Sequence, residues 1–503
     1  MSTKISINLL LLILSITLGF QPPAAIAQVE SSATQKTSSR KICPAQLPSE
    51  INAVINKPLF NRTHWGILVQ DLNLKAVSSK VSSPRTLYSR GAEKYFTPAS
   101  VTKLLTTAAA LQQLGKDYRI RTSIYDEGNG TLRVVGRGDP SLKDEQLVTL
   151  AKQLRQQGVT RINNLIADET HFKGEVIPGS WMWEDIPFYY GAPVSSFILN
   201  ENAAILRLFP QKVGENLRPR WEQPSEGYRW RVRNNTVTVE EGEKKYITIN
   251  RDIKGQTLNI QGQLAVNSQP DITAIAVFDP IEHFVRHFRQ HLLLERISLG
   301  RTSTVTNDIK TGEIKGEEIA AVESAPLSEL IKETNINSNN LFAEALVRTL
   351  AAKAPLKENQ TTVNAGLEVL QTALTQIGVD PTTYKLDDGS GLSRKNLISP
   401  QALVQLLQGV ARSPFAKVYF NSLPIAGKTG TFKYRLRDTA AEGIVIAKTG
   451  TMTGVVSLAG YVNAPNYEPV VFSIMVNQTE QPIRVVRQAI DEIVVNLAQL
   501  RRC

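Results

Sequence analysis

Ser100 and Lys103 stand three residues apart in Ser100-Val101-Thr102-Lys103, at the start of a segment whose apolar residues recur at helical spacing. In the first turn of a helix the backbone N–H groups lack partners and the dipole is positive, which favours negative charge developing on a serine oxygen. Residues i and i+3 share a helix face, so the Lys103 amine belongs beside the Ser100 hydroxyl. A lysine held in an apolar cleft can lose its proton near neutral pH, and the free amine can then deprotonate the serine. Ser100 would be a nucleophile and Lys103 its base. The pair alone is a weak signal. Ser38-Ser39-Arg40-Lys41 has the same spacing in a stretch where nothing would position it. A capping serine beside a surface lysine also reads the same way.

Two further groups could share a cleft with that pair. Ser338-Asn339-Asn340 precedes the helical run Leu341–Leu350 and alone suits a cluster of N-cap residues. Lys448-Thr449-Gly450 follows the apolar run Ile444–Ala447 and precedes a turn at Thr451–Gly454 and a second strand. That places it at the end of one strand of an antiparallel hairpin. Gly450 lets another chain approach the backbone, and Lys448 and Thr449 offer a charge and a hydroxyl to a bound carboxylate. A second copy, Lys428-Thr429-Gly430, follows the loop-like Leu423–Gly427. Lys448 is therefore the preferred residue, and Lys428 is expected in a turn.

The elements that must position these residues are legible in outline. Trp65–Asp71 and Thr86–Tyr88 read as strands. Thr97 is a fair N-cap and Pro98 suits the first helical position; Leu104, Leu105, Ala108, Leu111 and Leu114 give a helix that Gly115 ends. Residues 118–305 change character. Strands at Arg119–Tyr125 and Leu132–Val135 precede a helix at Leu147–Gln157, and a β-rich stretch spans about 205–265. A helix at about 280–295 closes the region. Helices dominate from 325 to about 412. Ile444–Ala447, Val455–Val462 and Val470–Val476 then read as consecutive antiparallel strands, and Ile483–Leu500 as an amphipathic helix. If Ser100 and Lys448 face one cleft, residues 45–117 and 306–503 form one domain. Residues 118–305 are then an insertion, expected to be replaceable by a short linker without loss of the remaining fold.

The chain has 503 residues, 42% of them hydrophobic and 20% charged, which excludes disordered, collagenous and coiled-coil classes. A net charge of +11 is a mild basic bias at this length and fits an acidic partner without singling one out. Lys4, the apolar stretch Ile5–Phe20 and the small-residue end at Ala25-Ile26-Ala27 predict a secretory signal peptide over 1–27, cut near Ala27. A flexible leader is expected over 28–44. The only cysteines, Cys43 and Cys503, sit at opposite ends of the exported chain, where a bridge and two free thiols are both open.

The order S-x-x-K, S-x-N and K-T-G, each in its structural context, resembles the signatures of serine penicillin-binding proteins and β-lactamases. The stretch between Ser100 and Ser338 is far longer than a β-lactamase needs. The chain is similar to the class C low-molecular-mass penicillin-binding proteins, the D-alanyl-D-alanine carboxypeptidase/endopeptidase family. Gly138–Leu142, Tyr190–Ser195, Leu199–Asn202, Asp388–Ser393 and Gly454 with Gly460-Tyr461-Val462 share in that likeness, which covers most of 45–500.

The resemblance implies an α/β (α+β) fold with an antiparallel sheet flanked by helices, interrupted by an insertion with a nested β-rich module. It implies an exported, periplasmic serine peptidase that trims or de-crosslinks peptidoglycan stem peptides, with β-lactams as covalent inhibitors. In it Ser100 and Lys103 are nucleophile and base, Ser338 relays a proton and Asn340 positions the substrate amide. Lys448, Thr449, Gly450 and Thr451 bind substrate, and the N–H groups of Ser100 and Thr451 form the oxyanion hole. It implies no cofactor, no nucleic acid, and peripheral or no membrane contact. A β-lactamase and a catalytically idle wall-binding protein are the competing readings. His283, His287 and His291 recur every four residues, but the outer two lie about 12 Å apart at 1.5 Å per residue. With no acidic or cysteine cluster nearby in sequence, no metal is expected. There is no G-x-S-x-G elbow and no phosphate loop.

Overall fold

The computed structural model describes residues 41–72, 84–252, 256–306 and 314–503. The expected signal peptide, and the leader through residue 40, lie outside the described residues. The leader does not extend to 44: Ile42 is buried and pairs with Leu500, donating to Gln499 O at 3.0 Å and accepting from Arg501 N at 3.0 Å.

Along the chain, α1 (Leu47–Ile55) buries the stripe Leu47, Ile51, Val54 and Ile55. Strands β1 (His64–Asp71) and β2 (Thr86–Arg90) follow. A 3-10 turn at Ala99–Val101 leads into α2 (Thr102–Leu114), which Gly115 ends at φ 80°. Thr97 is not its cap. The Thr97 N–H is taken by Asn477 Oδ1 at 2.7 Å, and the turn starts at Ala99 in the left-handed region, φ 52°. Then come β3 (Arg121–Asp126), β4 (Thr131–Val135), α3 (Asp144–Gln156) and β5 (Arg161–Asp168). The β-rich stretch holds β6 (Ala203–Phe209), β7 (Arg218–Trp221), β8 (Arg231–Val239), β9 (Tyr246–Arg251), β10 (Thr257–Ala265) and β11 (Asp271–Ala276). Helix α4 (Pro280–Leu294), β12 (Ser298–Val305) and β13 (Glu317–Glu323) complete this half. The rest is α5 (Leu327–Ile336), α6 (Asn340–Leu350), α7 (Thr362–Ile377), the short β14 (Tyr384–Lys385) and β15 (Leu397–Ile398), α8 (Pro400–Ala411) and α9 (Ala416–Asn421). Strands β16 (Val445–Met452), β17 (Val455–Val462) and β18 (Val470–Asn477) precede α10 (Ile483–Ala498).

The first sheet has the order β16-β17-β18-β1-β2 and is antiparallel throughout. Strand β1 closes against β18, from His64 opposite Asn477 to Asp71 opposite Val470, so the start of the chain is built onto its end. Strands β17 and β18 are buried at every residue. Helices cover both faces: α1 and α10 join one apolar cluster, α2 and α8 the other. That two-sided cover explains why these strands read as continuous apolar runs without alternation. Helix α2 has no solvent face over Thr102–Leu111, because α5, α6, α7 and α8 pack around it. The expected one-sided stripe is instead burial all round, which the small residues Ala108–Ala110 permit.

The second sheet, β12-β5-β4-β3-β13, is mixed, with α3 and α4 sharing its apolar core. Glu317–Glu323 belongs to it through pairing with β3. The expected end of the insertion at 305 therefore falls inside this sheet. The chain enters and leaves near residues 118–120 and 324–327, where Ile120 and Ser324 exchange hydrogen bonds of 2.8 and 2.9 Å. The nested module is two three-stranded sheets, β11-β6-β7 and β8-β10-β9, over one shared core. Insertion and first sheet are not independent: Ala192, Val194, Ile198 and Ala276 pack with Leu341 and Ala345 of α6.

Cys43 and Cys503 form a disulfide with Cα atoms 5.8 Å apart, across a separation of 460 residues. A cross-link closing so long a loop restricts the unfolded chain strongly. Replacing both cysteines by serine should cost about 2–4 kcal/mol. A urea titration of the oxidised protein beside the double variant checks this, and coincident midpoints would contradict it.

Candidate active site

Lys103 is fully buried, and its Nζ reaches three oxygens: Ser100 Oγ at 3.0 Å, Asn340 Oδ1 at 2.6 Å and Ser390 O at 2.6 Å. Burial pushes its pKa down to about 7, against the opposing pull of the Asp388 and Glu344 carboxylates. The serine that faces this amine is only partly buried. A free amine lone pair thus lies within proton-transfer distance of a reachable hydroxyl near neutral pH.

The backbone around the pair is shaped for it. Ala99, immediately before Ser100, is held at φ 52°. Gly391 at φ 83° fits against it, since a Cβ there would lie 2.0 Å from Ala99 O and 2.7 Å from Thr102 Oγ1. The Asp387–Ser393 loop wraps around two buried carboxylates. Asp388 accepts from Gly391 N (2.7 Å), Ser393 N (2.6 Å), Asn396 Nδ2 (2.7 Å) and Trp181 Nε1 (3.0 Å). Glu344 accepts from Gly389 N (2.9 Å) and Ser390 N (2.8 Å), and pairs with the buried Arg348 at 3.2 Å. Burial, with the charge of Asp388, raises Glu344 to about 7. These anchors aim the Ser390 carbonyl at Lys103. Sequence reasoning quoted this loop but gave no role to Asp388, Glu344 or Arg348. Glu344 and Arg348 show in the sequence only as polar residues inside an otherwise apolar helix, and Asp388 as one polar loop residue among several.

Ser338-Asn339-Asn340 splits three ways. Ser338, at φ 60°, turns its Oγ to Lys448 Nζ at 2.8 Å. Asn339 caps α6 by accepting from Phe342 N, and its Nδ2 donates to Glu201 Oε2 at 2.8 Å. Asn340 gives its Oδ1 to Lys103, while its Nδ2 donates to Tyr190 O at 2.8 Å. Each end of the Asn340 amide thus has a protein partner, Oδ1 holding Lys103, while the second Nδ2–H keeps donor capacity.

Lys448 sits mid-strand in β16, since the strand runs on to Met452 and the turn is only Thr453-Gly454. Its side chain is fully buried, bonded to Ser338 Oγ and, at 3.0 Å, to Thr449 O. Burial, with the positive charge of Lys103 added, holds its pKa well below the usual lysine range. The Lys448 amine is thus enclosed, while Thr449 and Thr451 occupy partly exposed positions. Thr451 Oγ1 accepts from Arg487 at 3.0 Å. Thr449 Oγ1 meets Thr431 Oγ1 at 2.8 Å. Lys428 is exposed in its turn as expected, but the residue after its motif, Thr431, reaches the first copy, a link the sequence did not show.

Strand β16 is an edge of its sheet. On its outer side Ala447 N donates to Pro424 O and Val445 O accepts from Ala426 N. Antiparallel alternation then turns the N–H of Thr451 to the same outer edge. Gly450 brings that edge onto the Ser100 turn: a Cβ there would lie 2.1 Å from Ser457 Oγ, 2.8 Å from Pro98 O and 3.1 Å from Ser100 N. Ser457 Oγ fastens the junction by donating to Pro98 O at 2.6 Å. Two bonded sets, Ser100–Lys103–Asn340 and Ser338–Lys448, thus lie side by side as one network, close enough for the charge of Lys103 to act on Lys448, with Thr449, Gly450 and Thr451 along its border. The histidines of α4 lie outside it. His283 and His287 come together with Glu226, an acidic neighbour that sequence distance concealed.

The family model described as D-Ala-D-Ala carboxypeptidase 3 (S13) matches residues 47–499. A D-alanyl-D-alanine carboxypeptidase from an Actinomadura species is 33% identical over 478 residues, covering 90% of this chain and 85% of the relative. The crystal structure of penicillin binding protein 4 from Haemophilus influenzae has a similar fold, with TM-score 0.74 and 24% identity over 89% of this chain and 98% of the other. The same protein complexed with a β-lactam matches with TM-score 0.69 and 23% identity over the same shares.

Gly450→Ala should cost about 1–3 kcal/mol by overpacking the junction with the Ser100 turn. Lys428→Ala, on the exposed turn, should stay within about 0.5 kcal/mol of the parent. Urea midpoints of the two variants measure the contrast, and equal midpoints would speak against the packing described.

Proposed function

The chain belongs to the D-Ala-D-Ala carboxypeptidase 3 (S13) family, a serine-type D-Ala-D-Ala carboxypeptidase, and from that premise we propose how it acts. Its substrates are peptidoglycan stem peptides, and its covalent intermediate is an ester on Ser100. The carrying observation is the buried Lys103 amine 3.0 Å from Ser100 Oγ, with a pKa lowered to about 7.

In this reading Lys103 takes the Ser100 proton as Oγ bonds to the carbonyl carbon of the scissile amide. The N–H groups of Ser100 and Thr451 hold the carbonyl oxygen as it gains charge. The C–N bond then breaks as the proton held by Lys103 is relayed through the hydroxyl of Ser338, bonded to Lys448, to the leaving amine, which returns Lys103 to its neutral form. Water, deprotonated by the same base, cleaves the ester and restores Ser100. The hydroxyls of Thr449 and Thr451 receive the terminal carboxylate, with Arg487 behind Thr451 supplying positive charge. Removing a terminal D-alanine and cutting a D-alanyl crosslink differ only in the leaving amine, so we assign both to this site. A β-lactam presents a strained amide to the same hydroxyl and acylates it. The predicted signal peptide and the proposed wall substrate support a periplasmic location. Among the described residues no helix is long and apolar enough to cross a membrane.

Fluorescent penicillin tests the reading. A stable adduct on Ser100, absent in Ser100→Ala, is expected; turnover of the label would indicate a β-lactamase, and no labelling an idle wall-binding protein. Mass spectrometry of muropeptides after incubation reports the two cleavages separately.

The pH dependence has a defined sign. Only the neutral amine is a base, so it is depleted below its pKa and plentiful above it. Acylation should therefore rise with pH, half-maximal near pH 7. A rate constant that stays flat from pH 6 to pH 8.5 would exclude Lys103 as the base.

Lys448→Ala leaves Ser338 without its amine partner in a buried site and should lower kcat/KM about tenfold or more. Lys428→Ala should stay within a few-fold. The reverse ranking in steady-state assays would move the function to the other copy.

A further inference from the structure

We propose that Glu226, His283 and His287 form a binding site in the insertion for a divalent transition-metal ion of the zinc class, separate from the serine site. His283 and His287 lie one turn apart on α4, and the 3-10 turn Pro224–Tyr228 folds Glu226 against them. One ligand atom from each lies within 4.8 Å of the other two, and all three residues are buried. Glu226 Oε1 is 3.7 Å from His283 Nδ1 and 3.9 Å from His287 Nε2. In a tetrahedral zinc site with bonds of ~2.0–2.1 Å, neighbouring donor atoms lie ~3.3 Å apart. Closing by a few tenths of an ångström suffices.

The surroundings point to a ligand independently of that spacing. His287 Nδ1 rests on Asp144 Oδ1 at 2.8 Å. A neutral ring that donates from Nδ1 keeps its lone pair on Nε2, and that buried Nε2 has no hydrogen-bond partner. A carboxylate behind the ring is the arrangement that fixes tautomer and direction in metal-binding histidines. Glu226 is aimed as well: Trp230 Nε1 donates to its Oε2 at 3.3 Å, leaving Oε1 toward the two rings.

One cation already faces these atoms. Arg286 lies 2.5 Å from Glu226 Oε1 and 3.0 Å from His283 Nδ1. It has an alternative seat. Its Nε is 3.5 Å from Glu282 Oε1, which Arg229 also holds at 2.5 Å, and the buried Glu282 Oε2 has no partner. Withdrawal of the guanidinium toward Glu282 frees the His283 nitrogen and the Glu226 oxygen together. Two imidazoles and one carboxylate suit zinc rather than calcium or magnesium, which prefer all-oxygen sets. An ion here would tie the nested β module to α4 and, through Asp144, to α3.

The test uses the full exported chain, stripped with EDTA, dialysed and titrated with ZnCl2 by calorimetry, with bound metal counted by mass spectrometry. One equivalent should bind and raise Tm, with no such response to MgCl2. Glu226→Gln and His287→Gln should lose the saturable site. Asp144→Asn, which keeps all three ligands, should weaken it ~10–100-fold. Arg286→Gln, which removes the competing cation, should tighten it. Circular dichroism verifies folding, and should a ligand variant not fold, the Asp144 and Arg286 variants decide. Absence of stoichiometric zinc overturns the proposal. So does equal binding by a His283→Gln/His287→Gln double variant, which would assign the metal to His64, His171 or His291.

Discussion

A lysine amine without water around it is the condition on which the rest of the molecule depends. The proposed role of Lys103 as a base requires that α2 be enclosed on every side, and four helices enclose it. The same burial would depress the amine further if nothing offset it. Asp388 and Glu344 supply opposing negative charge without touching the amine, and their own cost of burial is met by loop amides, Arg348 and Trp181. The loop Asp387–Ser393 thus performs two tasks, presenting one carbonyl to Lys103 and carrying the charge that tunes it.

A second buried amine lies close by, and the pair would repel if both were protonated. Each is assigned its own hydroxyl: Lys103 to Ser100, Lys448 to Ser338. This separation requires unusual backbone at both serines, and Ala99 and Ser338 are non-glycine residues at positive φ. Such conformations cost on the order of 1–3 kcal/mol each and persist only where surrounding packing enforces them. Here Gly391 presses on the first and the buried cap at Asn339 fixes the second. Gly450 completes the enforcement by letting an edge strand lie against the Ser100 turn.

What the sequence made legible follows from the range of the interactions involved. Strands β16 to β18, α10 and the residues of the network could be read because each has a local signature: apolar runs, helical spacing, a short motif. The direction of Lys448 could not, because a strand residue's side depends on which face its partners cover. The split of Ser338-Asn339-Asn340 was half visible, since the capping reading holds for Asn339 while its neighbours do other work. Helix α1 and the pairing of Ile42 with Leu500 were missed because they depend on the far end of the chain. The expected end of the insertion fell short because β13 is separated from β12 by residues with no strand-like pattern. Glu226 went unnoticed beside His283 and His287 for the same reason, since only the folded turn brings it near.

The insertion itself is where the sequence reading and the structure differ most. It was expected to be a removable addition. Three of its residues instead bond to the network or to its supports: Tyr190 accepts from Asn340, Trp181 donates to Asp388, and Glu201 accepts from Asn339. A typical hydrogen bond contributes about 0.5–1.5 kcal/mol, and excising the insertion would remove one from each of the three sites at once. It would also bare the apolar contact of α6 with Ala192, Val194 and Ile198. The two parts are one working unit. The first sheet holds the serine turn and the lysine strand, and the inserted segment supplies hydrogen bonds that keep Asn340, and through it Lys103, in place.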